Sequence, residues 1–404
     1  MTKTAKKYIS PVKLMLAIWG IEIYMYNLHI VSFYNPLNFL TFVLVFGVIL
    51  ALICSKFFVL YRNKKLRLQG KQYTPISLTL EEIEDKSKFV LKLFLIGTVI
   101  NVVFSGGFPL LWLVIGDART YQDFGVHGFN GMVNSFYYIS LLCYTYLYLK
   151  KRGKKQLIIL LGLIFYPVFS MARALIFTGL FEVLGLYLLL NRIRLKSIII
   201  ALLLAISIIV AFGQMGDNRN GLDSATESFV RSYVDDEYVD LMEKLPSGFT
   251  WVYIYFTCAI NNITYNINTL QPTGYPYFTV RRLLPSFIAE RVIEQKDYED
   301  KYALKMDDSV FNVFTIYSNY IKDFGVFFTI ILFFLVGIFF YDIYYKSSPD
   351  DTKYLFMYPP IFMILCLSVF DDFLLSLPTL FQFVFTSYFF RRRSPRRIVN
   401  QDNN

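Results

Sequence analysis

The sequence predicts an all-α integral membrane protein of about ten transmembrane helices with one large extracytoplasmic loop. Three observations predict it. The 404 residues are 55% hydrophobic and 19% aromatic, with Phe 41 and Tyr 31, well above the usage of a soluble domain. Apolar windows of about 18 residues or more recur, the length that crosses about 30 Å of hydrocarbon. Finally, the basic residues gather in alternating short loops, and one long hydrophilic stretch, from about Gly213 to Asp323, interrupts the apolar series.

Ten spans are expected near 12–31, 37–60, 89–115, 131–149, 157–172, 174–190, 198–213, 324–345, 354–370 and 373–390. The chain therefore divides into spans one to seven over 1–212, the large loop over 213–323, spans eight to ten over 324–390, and a basic tail over 391–404. With both termini in the cytoplasm, 26 of the 40 Lys/Arg fall in the inside segments and 12 outside. Short cytoplasmic loops retain positive charge, so this orientation is the expected one and the large loop lies outside. The net charge of +10 is thus topological, and a nucleic-acid partner is not expected. The large loop is net acidic, with 10 Lys/Arg against 16 Asp/Glu over 214–323, so any anion site there must be built by particular arginines.

Individual elements follow in order. Lys3, Lys6 and Lys7 precede an apolar run as in a signal peptide, but Glu22 and Tyr24 interrupt that run, and a retained first span is expected. In the cytoplasmic segment before span three, Thr79 followed by Glu81, Glu82 and Glu84 reads as a helix start, with acids at the positive end of the dipole. Span three ends in SGGFPLLWLVIG, where Gly106, Gly107 and Pro109 break or bend a helix. Such breaks are tolerated where protein or a water-filled cavity receives the freed backbone groups, so a cavity is expected on the outer side. In the large loop, TWVYIYFTCAINNITYNIN reads as a helix on the membrane surface or under the loop, with Trp251, Tyr253 and Tyr255 near the interface. Turn formers Pro272, Gly274, Pro276 and Pro285 then bracket Arg281 and Arg282. Cys54, Cys143 and Cys366 fall in spans and Cys258 in the loop, a pattern that supports neither a disulfide framework nor a zinc site. No internal repeat stands out.

Several residues carry candidate chemistry. Arg173 lies between two short spans on the outer side; it is either an interface anchor that snorkels or a planar fork for a phosphate. Arg281 and Arg282 are adjacent and point about 100° apart on a helix, so one faces a site and the other solvent or an acid. Arg119, Arg219, Arg231 and Arg291 are also outside, each as a surface ion-pair member. His127, in YQDFGVHGFNG, is a candidate general base or is structural. Asp123 is a further base candidate, and Asp323 either acts as a base or caps the helix it opens. Glu22, Glu182, Lys56 and Lys92 lie inside spans, where charges are functional candidates or helix-to-helix bonding partners.

Three regions together resemble the Wzy-type oligosaccharide repeat-unit polymerases of bacterial surface polysaccharide synthesis. They are GGFPLLWLVIG with YQDFGVHGFNGM; SMARALIFTGLFEVLGLYLLL; and GFTWVYIYFTCAINN with TGYPYFTVRRLLPS and FNVFTIYSNYIKDFGVFFTIILFFLVGIFF. The resemblance spans most of residues 89–345, by pattern more than by an exact signature. Ala172 stands where that family often has a serine before the arginine, and Asn130 where it occasionally has a histidine.

The resemblance implies a GT-C-like polymerase or ligase architecture in the bacterial inner membrane, acting on O-antigen, capsule or exopolysaccharide units. Its substrates would be lipid-linked oligosaccharides on undecaprenyl pyrophosphate, with a chain-length-regulating membrane protein and a flippase as partners and no cofactor or metal. The catalytic set it implies is Arg173, Arg281, Arg282, His127 and Asp323, with Arg119, Asp123, Arg291, Trp251, Tyr253, Tyr255, Tyr275 and Tyr277 as substrate contacts. A ligase delivering the finished glycan to another acceptor shares the same arginine logic. The rival from another class is a lipid-linked oligosaccharide flippase; carriers are often built from repeats around mid-membrane sites, and neither repeats nor a charged mid-membrane array is evident in the sequence. A lipid-phosphate-sugar glycosyltransferase would place an acidic pair in its first outside loop, where this chain has only SFYNP.

Overall fold

The computed structural model describes residues 5–71, 73–191, 230, 232–245, 248–284, 288–289, 304 and 313–391. The expected seventh span, Arg219, Arg231, Arg291 and residues 392–404 lie outside the described residues. The longer helices are α1 (Pro11–Tyr26), α2 (Phe39–Leu68), α3 (Leu80–Ser105), α4 (Pro109–Ile115), α5 (Phe129–Lys151), α6 (Lys154–Phe169), α7 (Arg173–Leu190), α8 (Gly248–Asn266), α9 (Tyr277–Leu283), α10 (Ser318–Lys346), α11 (Thr352–Cys366) and α12 (Leu377–Phe389). Among the described residues there is no strand, only isolated bridges at Val31–Val234 and Ser348–Asp351.

Among the described residues three stretches are long and apolar enough to cross a membrane: Phe39–Leu68, Leu80–Ile115 with its two helices taken together, and Ser318–Lys346. The remaining apolar helices are shorter. Large apolar side chains stand outward along them, among them Phe39 at 78%, Val103 at 76% and Phe327 at 70% exposure. A continuous apolar exterior of this kind suits lipid rather than water, and the architecture is that of an all-helical membrane protein. Its centre is formed by α5 and α11. On α5 every residue from Ser135 to Leu147 is buried, and on α11 every residue from Leu355 to Cys366, so each is surrounded by protein on all sides.

Several ends differ from expectation for identifiable reasons. The first helix stops at Tyr26, where Asn27 and left-handed His29 turn the chain. The Thr79–Glu82 capping box forms as the sequence predicts and starts α3 at Leu80. That helix ends at Ser105 because Gly106 takes the left-handed C-cap and Gly107 has φ of 145°; Pro109 then opens the separate α4. The eighth span begins earlier, at Ser318, and kinks at Gly325 with φ 70° and ψ −178°. The loop helix α8 is not laid on a surface. Its Tyr253 hydroxyl donates to Met25 O at 2.5 Å and its Asn261 accepts from Tyr26 Oη at 3.0 Å, while Asn262 Nδ2 donates to Val313 O at 2.9 Å. Amide and hydroxyl groups on α8 made it too polar to span, and they are spent on binding it to α1 and to residue 313.

The connections sort onto two ends of the bundle. At one end Lys6 bonds Ser347 O, Arg62 and Lys346 pair with Asp342, Tyr73 donates to Asp351, and Lys151 pairs with Glu84. At the other end Ser32 N bonds Tyr233 O, Gly125 N bonds Ser105 Oγ, and Ile316 N bonds Ser368 O. These are the two sets that the charge pattern separates.

Helices α2 and α10 form a close pair through small residues. Ser55 Oγ bonds both Ala51 O and Phe334 O at 2.7 Å, and a Cβ on Gly337 would stand 2.5 Å from that oxygen. Ser55 Cβ and Leu52 Cδ2 stand 2.8 and 2.9 Å from the same point, so rotating the hydroxyl away does not open the space. Gly337→Ala is expected to destabilise the protein by about 1–3 kcal/mol through overpacking. Gly20→Ala, which meets nothing within 4 Å, is expected to leave the melting temperature unchanged or raise it, as thermal denaturation in detergent would read.

Candidate functional site

Helix α9 carries the adjacent arginines, and its placement begins with Asp323. This buried side chain presents one oxygen to Phe278 N at 2.9 Å and the other to Thr279 N at 2.7 Å. A carboxylate from α10 thus satisfies two otherwise orphaned donors at the start of a different helix. Thr273 N and Gly274 N bond Lys322 O and Asp323 O, both at 2.9 Å, and Lys322 Nζ sits 3.9 Å from the Phe278 ring centroid. The left-handed Gly325 bends α10 beneath this clamp, beside Pro272. Asp323 therefore caps a helix, as one reading expects, but the helix is α9 rather than its own.

At the far end of α9 Arg282 pairs with Asp371 in the connection between α11 and α12. The two are 39% and 45% exposed, within reach of a ligand. The other Asp371 oxygen accepts Asp372 N at 2.7 Å. Asp372 itself is buried, accepting Asn319 Nδ2 and Leu375 N, each at 3.3 Å. Burial pushes its carboxyl up to about 7, against the opposing effects of the Asn319 bond and the Arg282 charge. Arg281 is half-buried on the same helix.

Arg173 is the first residue of α7, and its side chain lies outside what the structure describes. Gly185 of α7 approaches Phe362 of α11, its Cβ position 3.0 Å from that ring. Phe169, the last residue of α6, has its ring centroid 6.2 Å from that of Phe108 just after the Gly106 break, so α7, four residues on, starts at the end where Gly125 bonds Ser105 and the α11–α12 connection lies.

The remaining candidates are placed less centrally. Arg119 is bidentate with Asp117, with Nη2–Oδ2 of 2.6 Å, donates to Ser105 O, and stacks 4.5 Å from the Trp112 ring centroid. It closes the turn after α4. Asp123 accepts Thr120 N at 2.7 Å and caps its own turn, bonds that draw its carboxyl below the ordinary value. Asn130 bonds Asn101 and Phe124 O, so it is part of the tie between α3 and α5. His127 is exposed. Trp251, Tyr253 and Tyr277 are buried, at 0%, 6% and 6%. This corrects the expectation of Trp251 and Tyr253 at an interface; α8 turns these rings into the protein. Tyr255 is half-buried, its ring centroid 5.9 Å from that of Trp251, and Tyr275 is exposed.

The sequence reading missed Asp371 and Asp372. Two consecutive carboxylates in a short connection between apolar runs, SVFDDFLLS, were the available signal. Among the described residues no group of three or more His, Cys, Asp or Glu side chains is placed to hold a metal ion. The site is thus an arginine and carboxylate cluster at one end of an all-helical membrane bundle. No family model matches the chain, and no curated protein or solved structure matches it.

Asp323→Ala removes the cap of α9, and faster amide hydrogen exchange is expected at Phe278 and Thr279 than in the unaltered protein, with the exchange of α5 unchanged. For Asp372, a folded-state value raised from 3.8 to about 7 means that the folded chain holds a proton the unfolded chain has released. Its contribution to stability is complete below about pH 4 and lost as pH rises through about 7. Asp372→Asn is expected to flatten that part of the melting temperature profile between pH 5 and 8.

Proposed function

We propose that this protein is a Wzy-type polymerase that joins oligosaccharide repeat units carried on undecaprenyl pyrophosphate. In this reading both termini are cytoplasmic, about ten spans cross the bacterial inner membrane, and the Arg282 end faces outward. The observation that carries it is Arg282, on a helix clamped by Asp323 and paired with an exposed carboxylate, at the end of the bundle where α7 also begins with Arg173. The sorting of basic connections onto the opposite end supports the orientation.

The chemistry follows from the groups present. A hydroxyl of the acceptor attacks the anomeric carbon of the donor sugar, the bond from that carbon to the pyrophosphate oxygen breaks, and the electron pair leaves on undecaprenyl pyrophosphate. Arg282, with Arg281 and Arg173, stabilises the leaving charge. Pyrophosphate bound at Arg282 displaces Asp371, which is then free to take the hydroxyl proton. Exposed His127 is the other base in this reading, since Asp323 and Asp123 already accept backbone donors.

Purified protein reconstituted with a lipid-linked repeat unit is expected to form a ladder of longer lipid-linked glycans without nucleotide sugar. Arg282→Ala and Arg173→Ala are expected to insert and fold yet lose about 10²–10³-fold of the rate. Asp371→Asn against His127→Ala separates the two bases. Transfer to a different acceptor without a ladder would instead identify a ligase, and movement of the intact unit across the vesicle membrane a flippase.

A further inference from the structure

Glu182 lies halfway along α7, wholly buried, and plays no part in the site above. Its Oε2 accepts Gln382 Nε2 of α12 at 2.7 Å, which directs the two remaining oxygens, Glu182 Oε1 and Gln382 Oε1, away from that bond. Neither has a hydrogen-bond partner. Thr386 Oγ1, one turn further along α12, and Ser140 Oγ on α5 are likewise without partners. All four residues are 0–1% exposed.

These side chains belong to three helices that pack on one another. The Phe136 and Phe385 rings, 4.8 Å apart, pack α5 on α12; Ser140 lies one turn after Phe136 on α5, and Thr386 lies one turn after Gln382 on the face of α12 that meets Glu182. Tyr138 Oη bonds Thr178 Oγ1, one turn above Glu182, and Tyr137 Oη lies 3.4 Å from where a Cβ on Gly179 would stand. Helix α7 is thereby held against α5 on the face that carries Glu182. Among the described residues no lysine or arginine pairs with this carboxylate.

We infer that the seam between α5, α7 and α12 binds one alkali cation, held by Glu182 with the neutral oxygens of Gln382, Thr386 and Ser140. The chemistry selects the class. Buried hydroxyl and amide oxygens without partners are rare in folded proteins and call for a ligand or bridging group. Oxygen donors suit a hard cation. A single carboxylate among neutral donors balances one positive charge and leaves a divalent ion overcharged in a dry interior. This site is independent of the polymerase reading and does not use its residues.

The test is thermal denaturation of the full-length protein in detergent at constant ionic strength, titrating NaCl, KCl or LiCl against choline chloride. One alkali ion is expected to raise the melting temperature by a saturable amount over choline. Glu182→Gln is expected to abolish that rise, and Thr386→Val and Ser140→Ala each to shift its midpoint about tenfold to higher salt or more, one lost ligand being worth about 1.4 kcal/mol or more on the scale of tenfold per 1.4 kcal/mol. Equal melting curves in all four salts would overturn the proposal and leave a protonated, hydrated acid. So would an alkali effect that persists unchanged in Thr386→Val and Ser140→Ala, a result readable even if Glu182→Gln does not fold.

Discussion

Both oxygens of Asp323 accept backbone donors at the start of α9, and the position of Arg282 depends on that contact. A seven-residue helix is too short to persist by its own hydrogen bonds. It exists because a carboxylate from α10 supplies what its first turn lacks, and because the α10 backbone binds the preceding residues at Thr273 and Gly274. The left-handed Gly325 makes this geometry available by turning the first two turns of α10 away from its long apolar part. One carboxylate, one glycine and two backbone bonds therefore carry the arginine helix to the α11–α12 connection.

The same constraint governs the rest of the bundle. Backbone groups that leave a helix within or beside hydrocarbon must find partners in the protein, and the described turns around Gly106 and Gly125 do so. Asn101, Ser105 and Asn130 receive the turn around Gly125, and Arg119 takes Ser105 O after the Gly106 break. Polar residues that look like chemistry in a one-dimensional reading are thus consumed in holding connections. Arg282 and Asp371 differ because their bond is made at the surface, where a doubly charged ligand can compete for the arginine.

How much of this was legible follows from range. Capping at Thr79, the break at Gly106 and the grouping of basic connections are local or compositional, and the sequence announces each. The burial of Trp251 and Tyr253 depends on α8 meeting α1 across more than two hundred residues, and amphipathic character alone did not distinguish a helix among helices from one on a membrane. Asp323 was readable as a cap, but the capped helix lies some forty-five residues earlier in the chain, beyond any i to i+3 rule. Asp371 and Asp372 were overlooked because a pair of acids in a tight turn resembles ordinary solvated loop chemistry until Arg282 is brought to it.

Helix α7 joins the two regions that carry unsatisfied or exposed charge. It begins at Arg173 on the Arg282 end and carries Glu182 nine residues later, about 14 Å along one continuous helix. Its register is fixed on both sides: Gly185 admits Phe362 of α11, and Gly179 admits Leu141 of α5. Gln382 ties the middle of α7 to α12, whose first turn follows directly on the connection that carries Asp371 and Asp372. A cation at Glu182 strengthens the seam that positions both α7 and α12. It would thereby favour the arrangement in which the start of α7 and the Arg282–Asp371 pair lie at the same end of the bundle. Linkage would require the reverse as well: any ligand that binds better to that arrangement would raise the affinity of the seam for the proposed cation by the same factor.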